Sequence, residues 1–129
     1  MSTGTNDYEK GVETLVNLVG KTQADAVMAR FKSLSPTFEN EAISVVFGRT
    51  WSRDIIDPKT RALCSIGILA ALGRQGALRI VLGIALKNGA SVEEITEALL
   101  QAAIYAGYPA AFDALPVLVS VLEETGNVR

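Results

Sequence analysis

Apolar side chains recur at helical spacing through most of the chain. In the first third they form two groups, one around Leu15 and Val19 and the other around Val27 and Phe31. A period of 3.6 residues predicts an amphipathic helix for each group, and Gly20 between them is placed to end the first. The first seven residues lack this pattern, so we expect residues 1–7 to form a flexible tail.

A third helix is predicted to begin at Ser35-Pro36, where a capping serine precedes proline at the first helical position. It is expected to reach about Phe47 and to stop at Gly48. The stretch from Arg49 to Ile56 shows no clean period of two or of 3.6 residues, which indicates a loop. Because that loop carries a tryptophan and two arginines, it is a candidate functional segment.

Four further helix signals lie between Asp57 and Glu124. Asp57-Pro58 repeats the cap followed by proline, and Gly73 is placed to close that helix. The next helix is expected to end at Asn88-Gly89. Ser91-Val-Glu-Glu94 has the residues of a capping box, which predicts the start of the following helix.

The last helix is expected after Gly107-Tyr108-Pro109, and Pro116 should kink or interrupt it. No strand signal competes with these helices. The pattern therefore predicts an all-α, single-domain helical bundle of about six to seven helices over residues 1–129.

Composition narrows the class of protein. Hydrophobic residues make up 49% of the 129 residues, aromatic residues only 6%, and the mean hydropathy is +0.28. Such an aliphatic excess predicts that part of the surface is buried against another subunit. The formal net charge is −2 and the Lys and Arg residues are scattered, so we expect no nucleic-acid partner.

The apolar runs are too short to cross a bilayer, and the N-terminus lacks the basic and apolar regions of a signal peptide. We therefore expect a cytoplasmic protein with no membrane partner. The single cysteine, Cys64, excludes an internal disulfide and a Cys/His zinc site, and fits a reducing compartment. The chain has no histidine, so any acid or base step must fall to another side chain.

Several short strings in register resemble the carboxymuconolactone decarboxylase family, whose members are relatives of the alkylhydroperoxidase D proteins. The resemblance extends from about Phe38 to Glu124. The strings are Phe47-Gly-Arg-Thr-Trp-Ser-Arg53, Asp57-Pro-Lys-Thr-Arg61-Ala-Leu63, Ala70-Ala-Leu-Gly-Arg74, Ala85-Leu-Lys-Asn-Gly89, Glu93-Glu-Ile-Thr-Glu-Ala-Leu-Leu-Gln101 and Tyr105-Ala-Gly-Tyr-Pro-Ala-Ala111.

This resemblance implies an alkylhydroperoxidase D-like bundle that assembles as a homotrimer or homohexamer, with a pocket between helices close to a subunit boundary. It implies a cofactor-free decarboxylation of 4-carboxymuconolactone, or a related proton shift on another small lactone or carboxylated metabolite. No metal and no organic cofactor are implied. The expected partners are therefore a small-molecule substrate and further copies of the chain.

The chain also departs from the family pattern. Val81 stands where the decarboxylases usually keep a histidine, Val45 where they tend to have a tyrosine, and Phe112-Asp113 where they have an Asn-His pair. The resemblance then implies a pocket more apolar than usual. The peroxidase relatives need two cysteines at CxxC spacing, so Cys64 alone makes peroxidase activity unlikely.

Decarboxylation requires a cation that orients the carboxylate, an apolar wall, an electron sink and a proton donor. Arg53 and Tyr105 are the candidate catalytic residues. The candidate substrate-binding residues are Trp51, Arg61, Cys64, Val81, Tyr108 and Phe112. In each case a structural role is the alternative: packing for the tryptophan, salt bridges for the arginines, a small buried hydrophobe for the cysteine and a carbonyl cap for the tyrosines.

Three interpretations of function stay open at this point. The first is a decarboxylase-like, cofactor-free enzyme, which the resemblance favours. The second is a cofactor-free enzyme or binder that accepts a more apolar metabolite, which Val45, Val81 and Phe112 favour. The third is a non-catalytic relative that acts as an oligomeric scaffold or binds a ligand, which the missing histidine favours.

Overall fold

The structure is a computed structural model that describes residues 3–126, with side chains from residue 7 onward. These residues form seven α-helices and one π-helix, and no strand occurs among them. The helices are α1 (Thr3–Val19), α2 (Lys21–Leu34), α3 (Pro36–Ala42), the π-helix (Ile43–Trp51), α4 (Pro58–Leu72), α5 (Gln75–Lys87), α6 (Val92–Ala106) and α7 (Tyr108–Glu124). The prediction of an all-α fold is confirmed.

Contacts within the chain divide it into two compact units, the first ending at Ile56 and the second beginning at Asp57. Of the seven residues expected to form a flexible tail, residues 3–7 belong to α1. Residues 1 and 2 lie outside the described residues.

In the first unit, α1 packs directly against the π-helix. Gly11 of α1 faces Ile43, and Gly48 of the π-helix faces Asp7, so closely that a Cβ on either glycine would collide with the carbonyl oxygen of the facing residue. Glycine is therefore required at both positions by the approach of two backbones.

This contact explains two incorrect predictions. Gly48 was expected to end a helix and the loop was expected to begin at Arg49, but the helix continues to Trp51. Gly48 lies inside the π-helix because its missing side chain makes room for α1, a reason that its own neighbours in the sequence do not reveal. Only the part of the expected loop from Ser52 onward lies outside a helix.

The remaining helices of the first unit begin and end close to their predicted positions. Gly20 has a φ of 89° between α1 and α2. The Ser35 side chain accepts a hydrogen bond from the Phe38 backbone N–H, and Pro36 occupies the first turn of α3. Glu39 of the same helix is only 4% exposed, and the Tyr8 hydroxyl donates a 2.6 Å hydrogen bond to its Oε2. This contact ties α1 to α3.

In the second unit the predicted caps are confirmed. The Thr60 backbone N–H donates to the Asp57 carboxylate at 2.7 Å, which lowers the pKa of that carboxyl. Gly73 ends α4 in the left-handed conformation with a φ of 72°. At the start of α6, the Glu94 N–H donates to Ser91 Oγ and the Ser91 N–H donates to Glu94 Oε1. These local bonds fix the helix starts without long-range contacts.

Pro116 was expected to kink or interrupt the last helix. It does not interrupt it, because α7 runs through it from Tyr108 to Glu124, and the kink stays a prediction. Proline removes one backbone hydrogen bond, but Ala114 and Leu118 on either side are buried and hold the helix in the core.

The core of the second unit is aliphatic. Its buried residues are Ala62, Ile66, Ala70, Leu78, Val81, Leu82, Ile84, Ala85, Ala90, Ile95, Leu99, Ala103, Ala111, Ala114, Leu118, Val121 and Leu122. Between residues 3 and 126 there is no helix long and apolar enough to pass through a membrane.

Candidate functional site

A surface cleft of about 510 Å³ lies in the first unit, where α1, the end of the π-helix and the segment after it meet. Its lining contains three cationic side chains and two carboxylates. The lining residues are Asp7 and Lys10 from α1, Gly48 and Arg49 from the π-helix, and Ser52, Arg53, Asp54 and Ile55 from the segment that follows.

The close approach at Gly48 shapes one wall of this cleft. It brings the start of α1 against the π-helix, so that Arg49 Nε donates to Asp7 Oδ2 at 2.8 Å. The two residues are 42 positions apart in the sequence. The pair is therefore a product of tertiary packing rather than of local sequence.

The segment after the π-helix folds back on the last helical turn. Ser52 Oγ donates to the Gly48 carbonyl at 2.6 Å, and the Arg53 backbone N–H donates to the Thr50 carbonyl at 3.1 Å. These bonds fix the backbone that carries Arg53, whose side chain is exposed. Trp51, the last residue of the π-helix, is partly exposed and precedes Arg53 by two positions in the sequence.

In the second unit, the candidate aromatic residues lie where α6 ends and α7 begins. Gly107, with a φ of 94°, separates the two helices. Tyr105 is 84% exposed, and Tyr108 and Phe112 are each more than half exposed. The rings of Tyr108 and Phe112 contact each other with centroids 6.1 Å apart. The structure therefore brings these two candidates together on one face of α7.

The other candidates of the second unit lie on α4 and α5. Arg61, in the first turn of α4, is partly exposed, and Cys64 is exposed three residues later, so both lie on the same side of that helix. The alternative interpretation of Cys64 as a buried hydrophobe is therefore wrong for this chain. Val81 belongs to the buried core.

These positions bear on the expected apolar pocket, in which Arg53 and Tyr105 were the candidate catalytic residues. The core of the second unit is aliphatic, and the phenol of Tyr105 lies on its surface. Tyr105 is therefore not enclosed by a pocket within the described residues. The assignment of all eight candidate residues to a site stays a prediction.

Sequence reasoning missed Asp7, Lys10 and the Tyr8–Glu39 pair. Arg49 was predicted only as the first residue of the candidate functional segment, not as a site residue of its own. The other residues carry no local motif, because each contact joins α1 to a part of the chain more than 30 residues away.

Among the described titratable groups, Tyr8 has a pKa far from its ordinary value. The hydrogen bond to Glu39, burial and the nearby negative charge together raise the pKa of Tyr8 from its ordinary value of 10.0 to about 12. Tyr8 therefore stays protonated and keeps donating to Glu39 throughout the neutral range. Among residues 3–126 no group of three or more His, Cys, Asp or Glu side chains is arranged to hold a metal ion.

Comparison with known sequences identifies relatives that align with most of this chain. The sequence model of the carboxymuconolactone decarboxylase family matches residues 36–120. A 4-carboxymuconolactone decarboxylase from Acinetobacter baylyi is 29% identical over 119 residues, which cover 92% of this chain and 89% of the relative. An uncharacterized 15.0 kDa protein from Paracoccus denitrificans is 34% identical over 99 residues, 75% of this chain and 74% of the relative.

A third relative is named for a different acid. A nitrosuccinic acid decarboxylase from Metarhizium robertsii is 24% identical over 131 residues, covering 95% of this chain and 90% of its own length. Two of these three relatives thus carry names that describe loss of a carboxyl group, each from a different acid.

Proposed function

The chain belongs to the carboxymuconolactone decarboxylase family, and we propose that it is a decarboxylase of a small lactone or other carboxylated metabolite. The observation that carries the proposal is the alignment, over nearly the whole chain, with two decarboxylases of different acids. What those two share is the reaction rather than the substrate. We therefore place the reaction class ahead of any particular compound.

Decarboxylation breaks the bond between the carboxylate carbon and its neighbour, and the electron pair stays on the neighbouring carbon. An electron-withdrawing group on the substrate must accept that pair before a proton replaces the lost CO2. The protein has to orient the carboxylate, lower its hydration and supply the proton. No step of this scheme requires a histidine.

We assign the orienting role to Arg53, because a guanidinium can hold a carboxylate by two parallel hydrogen bonds. Tyr105 is the proposed proton donor, since it carries a hydroxyl and lies at the exposed end of α6. Trp51 is the proposed apolar wall beside the arginine. Tyr108 and Phe112 would contact the substrate through their paired rings.

A homo-oligomer is part of the same proposal. Tyr108, Phe112, Leu115 and Val119 are all exposed and recur every three or four residues, so they form one apolar stripe along α7. Soluble proteins rarely leave such a stripe in water. We propose that a second copy of the chain covers it, within a homotrimer or homohexamer, and thereby shields Tyr105.

The second candidate function is a relative that binds a ligand without converting it. The absence of histidine favours it, and so does the exposure of Tyr105. It differs from the first proposal in a single measurable quantity, the release of CO2.

The test is to incubate the purified oligomer with 4-carboxymuconolactone and, separately, with nitrosuccinic acid, and to measure CO2. We expect release above buffer with at least one compound. Release should fall about a hundredfold or more in Arg53→Ala and Tyr105→Phe, the scale typical of losing a positioned catalytic group. Arg30→Ala removes an exposed arginine of α2 and serves as the control. Binding of either acid without CO2 release would favour the second candidate.

A further inference from the structure

We propose that Ser52 is a positioning residue, whose hydroxyl bond to the Gly48 carbonyl determines where the backbone leaves the π-helix and hence where Arg53 is held. The inference rests on the proposed function for the role of Arg53. It adds a residue that acts through Arg53 rather than on the substrate. Ser52 is partly exposed and directly follows Trp51, the last residue of the π-helix.

The hydrogen bonds at this helix end depart from the π-helical register. In a π-helix each carbonyl accepts from the N–H five positions later, so the Gly48 carbonyl would accept from Arg53. Here the Ser52 hydroxyl donates to that carbonyl at 2.6 Å. The Arg53 N–H donates instead to the Thr50 carbonyl at 3.1 Å, a bond of the 3₁₀ type. The hydroxyl therefore takes the place of the Arg53 amide, and Arg53 lies outside the helix.

The acceptor of the Ser52 bond is restrained by tertiary packing. Gly48 is buried and faces the Asp7 carbonyl of α1 so closely that no side chain fits between them. The ion pair between Arg49 and Asp7, at 2.8 Å, links the same two helices a second time. Because α1 restrains the Gly48 carbonyl, the short hydroxyl bond fixes the segment that follows the helix rather than the helix itself.

A similar bond elsewhere in the chain shows why the position of Ser52 matters. Thr96 Oγ1 donates to the Val92 carbonyl at 2.7 Å, four positions earlier, but this bond lies within α6, where the backbone ladder already holds the path of the chain. Ser52 also reaches four positions back, yet it does so where the ladder ends. Its hydroxyl therefore selects between two courses of the backbone. In one, Arg53 leaves the helix, and in the other its amide bonds to the Gly48 carbonyl and the helix continues.

The kinetic test compares two substitutions at Ser52 in the full-length protein. Ser52→Ala removes the hydroxyl and displaces Arg53, whereas Ser52→Thr keeps a hydroxyl that can make the same bond. We would measure kcat and KM for CO2 release from 4-carboxymuconolactone and from nitrosuccinic acid. Misplacing a positioning group by about 1 Å can cost about a hundredfold in rate, so we expect kcat/KM to fall about tenfold or more in Ser52→Ala. Ser52→Thr should stay close to the parent. Thr96→Ala, which removes the similar bond in α6, is the matched control and should release CO2 as the parent does.

Crystal structures of the parent, Ser52→Ala and Ser52→Thr give a measurement that does not depend on activity. We expect the Arg53 N–H to bond to the Gly48 carbonyl in Ser52→Ala, and to the Thr50 carbonyl in the other two. An Arg53 backbone that keeps its place in Ser52→Ala would overturn the inference. So would an equal loss of CO2 release in Ser52→Thr or in Thr96→Ala, because the loss would then not follow from the missing hydroxyl bond.

The two proposals fail in different ways. If the parent releases no CO2 from either acid, the decarboxylase proposal is contradicted, and a displaced Arg53 in Ser52→Ala still supports the positioning role. If CO2 release is lost in Arg53→Ala but unchanged in Ser52→Ala, the proposed function is supported and the positioning role of Ser52 is overturned.

Discussion

In the first unit, α1 approaches the π-helix so closely that Gly11 and Gly48 have no room for a side chain, whereas the second unit is built around buried aliphatic side chains. The buried polar side chains among the described residues, Glu39 and Ser44, both belong to the first unit. The Ser44 hydroxyl has no hydrogen-bond partner within residues 3–126.

This difference predicts which substitutions should change the stability of each unit. Aliphatic cores tolerate changes of shape when their volume is kept, because side chains can repack. A contact between two backbones has no such freedom, and a buried carboxylate depends on the donor that faces it. The first unit should therefore respond strongly to small substitutions that the second would absorb.

The largest effect is expected for Gly48→Ala. The added methyl group would collide with the Asp7 carbonyl, so α1 must move away from the π-helix. We expect a loss of about 3 kcal/mol in the free energy of unfolding, the upper part of the usual range for overpacking. Urea denaturation at a fixed protein concentration measures it. Gly11→Ala should behave in the same way, and a loss below about 1 kcal/mol in both would contradict the backbone contact.

Tyr8→Phe should have the next largest effect. It removes the hydroxyl that donates to Glu39 at 2.6 Å and leaves that buried carboxylate with one partner fewer. Hydrogen bonds to charged groups contribute about 1.5–3 kcal/mol, and because Tyr8 is partly exposed we expect a loss of about 1.5 kcal/mol. The same urea experiment measures it, and an unchanged midpoint would show that the Tyr8 hydroxyl contributes nothing to stability.

The same hydrogen bond predicts a dependence on alkaline pH. The pKa of Tyr8 is about 12 in the folded chain against 10.0 ordinarily, so the unfolded chain loses this proton first as pH rises. The contribution of Tyr8 is fully present below pH 10 and declines between pH 10 and 12. Unfolding curves of the parent and of Tyr8→Phe should therefore converge across that window. Parallel curves would argue against a raised pKa for Tyr8.

The helices of the second unit were predicted well from the sequence because their starts and ends are determined by local contacts. Asp57, Gly73 and Ser91 act within three or four residues of themselves, so their roles can be recognised from the sequence alone. The prediction for Gly48 was wrong because its role depends on Asp7, 41 positions earlier in the printed sequence.

The candidate site was less predictable than the fold. Arg53 was singled out for its residue type within an irregular segment, and the structure places it in the cleft. Lys10 could not be found in this way, because it joins the cleft only through the packing of α1. Whether Tyr105 is shielded depends on a surface outside its own unit, which no pattern within one chain describes.

In the second unit, Ser91→Ala should have a smaller and purely local effect. The Ser91 hydroxyl oxygen accepts from the Glu94 N–H at 3.0 Å, and losing such a cap costs about 1 kcal/mol. Ser33→Ala is a matched control, since its hydroxyl only donates to the Arg30 carbonyl on an exposed turn. We expect a lower urea midpoint for Ser91→Ala but not for Ser33→Ala. Equal midpoints in the two variants would show that the Ser91 cap does not stabilise this unit.

The smallest expected effect has the opposite sign. A Cβ on Gly83 in α5 meets nothing within 4 Å, so Gly83→Ala gains helix propensity without a collision and should stabilise the chain by about 0.5–1 kcal/mol. The same change that damages the first unit at Gly48 then improves the second. Unfolding measured at two protein concentrations would also test whether a neighbouring copy packs against Gly83. A loss of stability at Gly83 that grows with protein concentration would mean that a neighbouring copy packs against α5, so that the free space seen in one chain is occupied in the assembly.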